Sequence, residues 1–170
     1  MKFILLNGPS SVGKSDTIDA VMAEREWLFH LSYDKLKWQF SHYHVHHHYR
    51  DVEHLVLAMA DAIFDMNYDV ISDTALHQDF RTILLTLARN HGREIIEVNL
   101  EAEYAVLEER FERRIAEVQA NPLMRVSNIS KDRFKELYEM YHHDKNPNAT
   151  TFHTDIETRE AITKKILSYL

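Results

Sequence analysis

The sequence predicts an α/β protein, a three-layer α/β/α fold built on a five-stranded parallel sheet. Three observations predict it. Short apolar runs alternate with amphipathic stretches of helical period along the whole chain, the pattern of strand–helix–strand units. The first run, Phe3-Ile4-Leu5-Leu6, has no polar interruption, as a strand buried on both faces of a parallel sheet requires. Directly behind it stands Gly8-Pro9-Ser10-Ser11-Val12-Gly13-Lys14-Ser15, a complete match to the phosphate-binding pattern G-x-x-x-x-G-K-[ST].

Beyond that loop, Ile18, Val21 and Met22 recur at helical spacing and predict a helix to about residue 26. Residues 27–32 read as a second strand, and 34–40 as a short helical segment at its carboxyl end. Residues 41–50 hold five of the chain's twelve histidines and read as a polar, aromatic loop. Helical period returns over 51–66 with Val52, Leu55, Val56, Met59, Ala62 and Ile63. Residues 68–73 form a third strand ending in a carboxylate. An amphipathic helix follows over 77–90, with Gly92 as its stop signal. Residues 95–100 make a fourth strand and 103–118 a long helix of alternating acids and arginines. Residues 119–128, containing Pro122, read as a loop, and 130–142 as a helix. A fifth strand over 150–154 and a closing helix over 158–170 complete the chain. No repeat, linker or domain break interrupts it, which predicts a single domain, 1–170, with a lid segment around 110–128.

Composition narrows the function. The 170 residues include no cysteine, which excludes disulfides, thiolate metal sites and a cysteine nucleophile. The net charge of −7 argues against broad binding of polyanions, so a nucleic-acid partner is not expected. No run reaches the 18 or so apolar residues of a membrane span, and the first apolar run is too short for a signal peptide. A cytoplasmic protein is expected.

The candidate site residues follow from the loop. Two of the chain's three glycines lie in it, where backbone N–H groups must curl around phosphate oxygens. Residues Gly8 to Ser15 would cradle the phosphates. Lys14 would place its ammonium on the terminal phosphates, and the Ser15 hydroxyl would ligate Mg²⁺. Ligands of parallel sheets bind beyond the carboxyl ends of the strands, which draws Asp34 and Asp73 to the same edge. Asp34 has three readings: general base for an attacking hydroxyl, metal-shell ligand, or cap of the short helix. Lys37, one turn later, would steady a substrate or that carboxylate, or stand solvated. Asp73 ends an apolar run as a Mg²⁺-holding acid does, or caps a turn. Arg110, Arg113 and Arg114 share one helix face and suit the offsetting of phosphoryl charge; an ion-pair stripe with Glu109 is the alternative. His44, His46 and His48 invite a metal reading, but no acid or cysteine completes the ligand set, so a substrate loop or plain surface stands against it.

With these residues in place, the chain resembles the small P-loop kinases, in particular the chloramphenicol-phosphotransferase-like, zeta-toxin-like and AAA-type members. Residues 4–15, Trp27-Leu28-Phe29 leading to Asp34-Lys35-Leu36, and residues 58–73 carry the likeness. The resemblance implies a P-loop kinase fold, ATP and Mg²⁺, a small-molecule hydroxyl as acceptor, Asp34 as its general base, and Arg110 and Arg114 as the favoured lid arginines. Two departures leave the acceptor open. Arg113-Arg114-Ile115-Ala116 stands where the phosphotransferase has an arginine-glycine-aspartate-type sequence, and the histidine-rich stretch has no counterpart. A nucleotide or nucleic-acid kinase and an ATP-dependent switch are the competing readings. No N-K-x-D marks a guanine-reading loop.

Overall fold

The computed structural model describes residues 1–73, 78–121 and 129–170. Five strands, β1 (Lys2–Asn7), β2 (Leu28–Leu31), β3 (Asp69–Ser72), β4 (Glu94–Glu101) and β5 (Thr150–His153), lie in the order β2-β3-β1-β4-β5, and every pairing is parallel. The helices are α1 (Lys14–Glu24), α2 (Tyr33–Lys37), α3 (Val45–Phe64), α4 (Gln78–Asn90), α5 (Tyr104–Ala120), α6 (Lys131–Asp144) and α7 (Arg159–Leu167). This is the α/β architecture that the alternating pattern predicts.

The period-two geometry of the strands divides the core into two layers. Phe3 and Leu5 of β1, with Val70 of β3, pack on one face against Val52, Val56 and Ala60 of α3 and Phe80, Leu84 and Ala88 of α4. Ile4, Leu6 and Ile71 point to the other face, where Ile18 and Val21 of α1, Leu107 and Phe111 of α5, Phe134 of α6 and Ile162 of α7 cover them. Phe3 through Leu6 are fully buried, so the uninterrupted apolar run is a direct record of a central strand covered on both sides.

One boundary differs in a way that matters. Only the first part of the histidine-rich stretch is a loop: residues 41–44 lie outside any helix, whereas α3 begins at Val45 and takes His46, His47 and His48 into its first turn. The reason is a cap with an unusual side chain. His44, in extended conformation, donates its backbone N–H to Nδ1 of His48 at 2.9 Å, and its carbonyl accepts the N–H of His47 and His48. A ring four residues into the helix thereby reaches back to the helix start, a job that glutamate or glutamine does in the ordinary capping box. At the other boundaries the helices run one to three residues past or short of expectation, the largest differences being α2, which ends at Lys37 rather than residue 40, and α7, which ends at Leu167 rather than residue 170. The expected loop over 119–128 gives its first two residues to α5, and residues 122–128, like His77 at the expected start of α4, lie outside the described residues.

The carboxyl end of α3 is closed by a buried arginine. Arg93, 6% exposed, donates to the carbonyls of Phe64 (2.5 Å), Met66 (2.7 Å), Ile63 (3.2 Å) and Tyr68 (2.5 Å), and its guanidinium lies over the Phe64 ring. The last carbonyls of a helix lack intrahelical donors and carry its negative dipole end, so a cation there satisfies both needs. Arg93→Ala is expected to cost about 2–4 kcal/mol, because it strands several acceptors at once. The thermal midpoint should fall by roughly 5–15 °C. Arg93→Lys, which keeps the charge but not the planar fork, should lie in between. An unchanged midpoint for the alanine variant would refute the role.

Candidate functional site

The carboxyl ends of the strands face a cleft of about 1900 Å³, and the P-loop forms its floor. The loop leaves β1 at Asn7 and meets α1 at Lys14. Gly8 sits so close to β4 that an added Cβ would stand 2.6 Å from the Leu100 carbonyl oxygen and 2.8 Å from Cγ1 of Val12. Gly13 caps α1 in the left-handed region at φ 97°, and Ser11 also takes a positive φ of 64°. These turns aim the loop's backbone N–H groups and the start of an eleven-residue helix at one space.

Lys14 is folded back onto that loop. Its Nζ donates to the carbonyls of Gly8 (2.6 Å) and Pro9 (2.9 Å). Burial pushes the ammonium's pKa down, opposed by the negative charges of Asp73 and Asp34, with Arg114 pushing down further. Asp73, Asp34 and Arg114 line the same cleft as Lys14, although they come from the ends of β3 and β2 and from α5.

Asp73 lies just past β3 with its side chain 8% exposed, and its Oδ1 has no hydrogen-bond partner. Burial raises its carboxyl, but His30, Lys14 and Ser32 together outweigh that and leave it below the ordinary carboxylate range. Asp34, by contrast, is 63% exposed at the rim and accepts from Nζ of Lys37 at 2.5 Å. Asp34 is not the cap of α2. That position belongs to Ser32, whose Oγ accepts the N–H of Lys35 at 3.3 Å. Lys37 is not solvated either: its side chain is 7% exposed and the ammonium lies 5.0 Å from the centre of the Trp38 ring.

The arginines divide. Arg110 is fastened to the end of β5 by bonds from Nη1 to Oγ1 of Thr154 (2.9 Å) and from Nη2 to its carbonyl (2.8 Å). Arg113 and Arg114 are exposed, and all three line the cleft. Glu109 makes no ion pair with Arg113 among the described residues. Tyr43, His44, His46 and Tyr49 line the opposite wall, so part of the histidine-rich stretch does border the cleft. No group of three or more histidine, aspartate or glutamate side chains among the described residues is placed to hold a metal by itself.

The residues fit a nucleotide with Mg²⁺. A loop with no room for a side chain at Gly8, the exposed Ser15 at the start of α1, and the buried Oδ1 of Asp73, which accepts no hydrogen bond, would suit a site in which phosphate oxygens and water complete the metal's shell. Sequence reasoning missed His30, which stands behind Asp73, and the hydroxyl pair of Tyr33 and Tyr43, 3.1 Å apart in the lining of the cleft. His30 looked like one polar residue in a strand; only the pairing of β2 with β3 brings it to the site.

Residues 3–141 match the family model described as AAA domain. The chain belongs to the AAA domain family. No curated protein matches this AAA-domain sequence. Among solved structures, a candidate kinase from Chloroflexus aurantiacus j-10-fl is similar over 99% of this chain and 98% of its own, with a TM-score of 0.75 at 18% identity. A gluconokinase from Sinorhizobium meliloti 1021 is similar over 98% of this chain and 90% of its own, with a TM-score of 0.65 at 18% identity. The Mycobacterium tuberculosis APS kinase, solved with AMPPNP and APS, is similar over 98% and 95%, with a TM-score of 0.62 at 15% identity. The fold of this AAA-domain protein is therefore that of the P-loop kinases.

Gly8→Ala tests the floor of the cleft. Because the clash is with backbone, the loop must shift, and affinity for an ATP analogue is expected to fall at least tenfold while the circular dichroism spectrum stays that of the wild type. Undiminished affinity would show that the loop does not need this close approach.

Proposed function

We propose that this protein is an ATP-dependent phosphotransferase that moves the γ-phosphate of ATP to a hydroxyl of a small molecule, with chemistry like that of the chloramphenicol-phosphotransferase-like kinases. The observation that carries the reading is that Lys14, Asp34 and Asp73 line one cleft at the carboxyl ends of the strands, with room for two substrates. The kinase fold shared with the gluconokinase and the APS kinase supports it.

The steps fall to this chain's own residues. Residues Gly8 to Ser15 hold the phosphates through backbone N–H groups, and Lys14 exchanges its loop carbonyls for phosphate oxygens. Ser15 and Asp73 hold the Mg²⁺ shell; the ion, when bound, neutralises charge on the phosphate oxygens. The acceptor oxygen bonds to the γ-phosphorus as the bond to the ADP oxygen breaks, and the hydroxyl proton passes to Asp34. That carboxylate is exposed at the rim, where an acceptor can reach it, and Lys37 holds its orientation. Arg114 offsets developing charge, whereas Arg110 is tied to Thr154 and steadies the wall.

ATP consumption measured against a panel of sugars, nucleosides, amino alcohols and antibiotics identifies the acceptor. Lys14→Ala is expected to abolish transfer and weaken ATP binding, since each charge-assisted hydrogen bond from the ammonium to a phosphate oxygen is worth about 1.5–3 kcal/mol. Asp34→Asn should lower kcat by about 10²–10⁴-fold with ATP affinity little changed. If nucleotide binding collapses along with transfer, Asp34 serves the metal rather than the acceptor. Arg114→Ala should lower kcat more than it raises KM for ATP, whereas Arg110→Ala should lower the thermal midpoint as well. Wild-type turnover in Lys14→Ala would refute the assignment.

A further inference from the structure

His30 is a buried histidine for which the chemistry so far has no use. It lies on β2, in register with Ile71 of β3, and its side chain is 6% exposed. Alternation along β2 puts Leu28 in the core layer of α1, so His30 shares that side of the sheet with the P-loop helix. Neither ring nitrogen has a hydrogen-bond partner. A polar group buried without a hydrogen bond is destabilising, and an aliphatic residue would fill a β-strand position without that penalty. The group its ring faces is Asp73: Nε2 stands 3.5 Å from Oδ1, itself buried and unpartnered. An imidazole nitrogen and a carboxylate oxygen, neither of them hydrogen-bonded, thus face each other 3.5 Å apart just beneath the floor of the cleft.

We propose that His30 is a positioning residue for Asp73, donating from Nε2 to Oδ1 when nucleotide and Mg²⁺ fill the cleft and so fixing the carboxylate that serves the metal shell. The proposal rests on the reading of Asp73 as part of that shell. Hydrogen bonds of this kind tighten when the ligands they serve are bound. A histidine behind a metal-serving carboxylate sets its direction, and removing such a partner typically costs about 10–100-fold in metal affinity.

The test reads metal dependence rather than turnover. Affinity for a fluorescent ATP analogue is measured as a function of Mg²⁺ and again in excess EDTA, for the wild type, Asp73→Asn, His30→Leu, His30→Asn and His30→Gln. His30→Leu and His30→Asn are expected to raise the Mg²⁺ concentration for half-maximal binding about tenfold or more, with metal-free binding unchanged. His30→Gln, whose amide nitrogen reaches about as far as Nε2, should restore the wild-type requirement. If His30→Leu does not fold, the Asn and Gln pair decides alone, since both keep a polar side chain and differ in reach. A wild-type Mg²⁺ requirement in both His30→Leu and His30→Asn, with a raised one in Asp73→Asn, overturns the positioning role and leaves the metal-shell reading standing. A wild-type requirement in Asp73→Asn refutes the metal-shell reading and the proposal with it.

Discussion

There is no room for a side chain at Gly8, and the geometry of the cleft depends on that. β1 runs through the centre of the sheet with Phe3 to Leu6 fully buried, so the chain must turn sharply as it leaves the core. It turns against β4, close enough to the Leu100 carbonyl that only a hydrogen fits on Gly8 Cα. The closeness keeps the loop low over the strand ends and stands α1 with its first turn over them. Lys14 then bonds back to Gly8 and Pro9, so the loop is braced by the same side chain that would serve a phosphate. Its ammonium has an internal substitute for ligand oxygens, which lowers the cost of holding a desolvated cation there.

The opposite wall is held by charge. Arg81 of α4 pairs with Glu97 on β4 and also donates to the Asp144 carbonyl at the end of α6. Asn146 bridges Glu97 and Asn99, and Glu101 accepts from Tyr141 and Lys145. Burial pushes the Glu101 carboxyl up, but these two donors prevail and keep it below the usual range. Such bonds are directional and roughly twice as strong as neutral ones, so they set the angle at which α6 meets the sheet. They are also costly to desolvate, and their worth lies more in one fixed arrangement than in net stability.

Charge is deployed differently on the two sides of the cleft. Asp73 and His30 are sunk below the floor, where an orientation can be held and water is scarce. Asp34 sits at the rim with most of its surface open, and a buried lysine holds it. In the proposed reaction, a carboxylate serving a metal shell would gain from the first environment, and one meeting an incoming hydroxyl would gain from the second. Arg110 and Arg114 show the same division on a single helix face. One turn separates a guanidinium locked to Thr154 from an exposed one that also lines the cleft.

Much of this was legible in the chain itself. The α/β class, the five strands in sequence, the phosphate-binding loop and the placement of Asp34 and Asp73 at strand ends all follow from local signals: apolar runs, helical period, and a motif whose glycines are needed where they stand. What local signals could not supply is adjacency across the sheet. The order β2-β3-β1-β4-β5 decides that His30 lies behind Asp73, and the packing of α5 against β5 decides that Arg110 is tied down while Arg114 is not. The histidine-rich stretch misled for a related reason. Its histidines carry no apolar period, and the start of α3 rests on a ring-to-backbone cap between His44 and His48 that a propensity reading does not contain. Pattern and motif therefore determined the elements and the phosphate site. Which polar side chains meet there, and which are held in place, was decided by strand order and packing, because those pairings join residues dozens of positions apart.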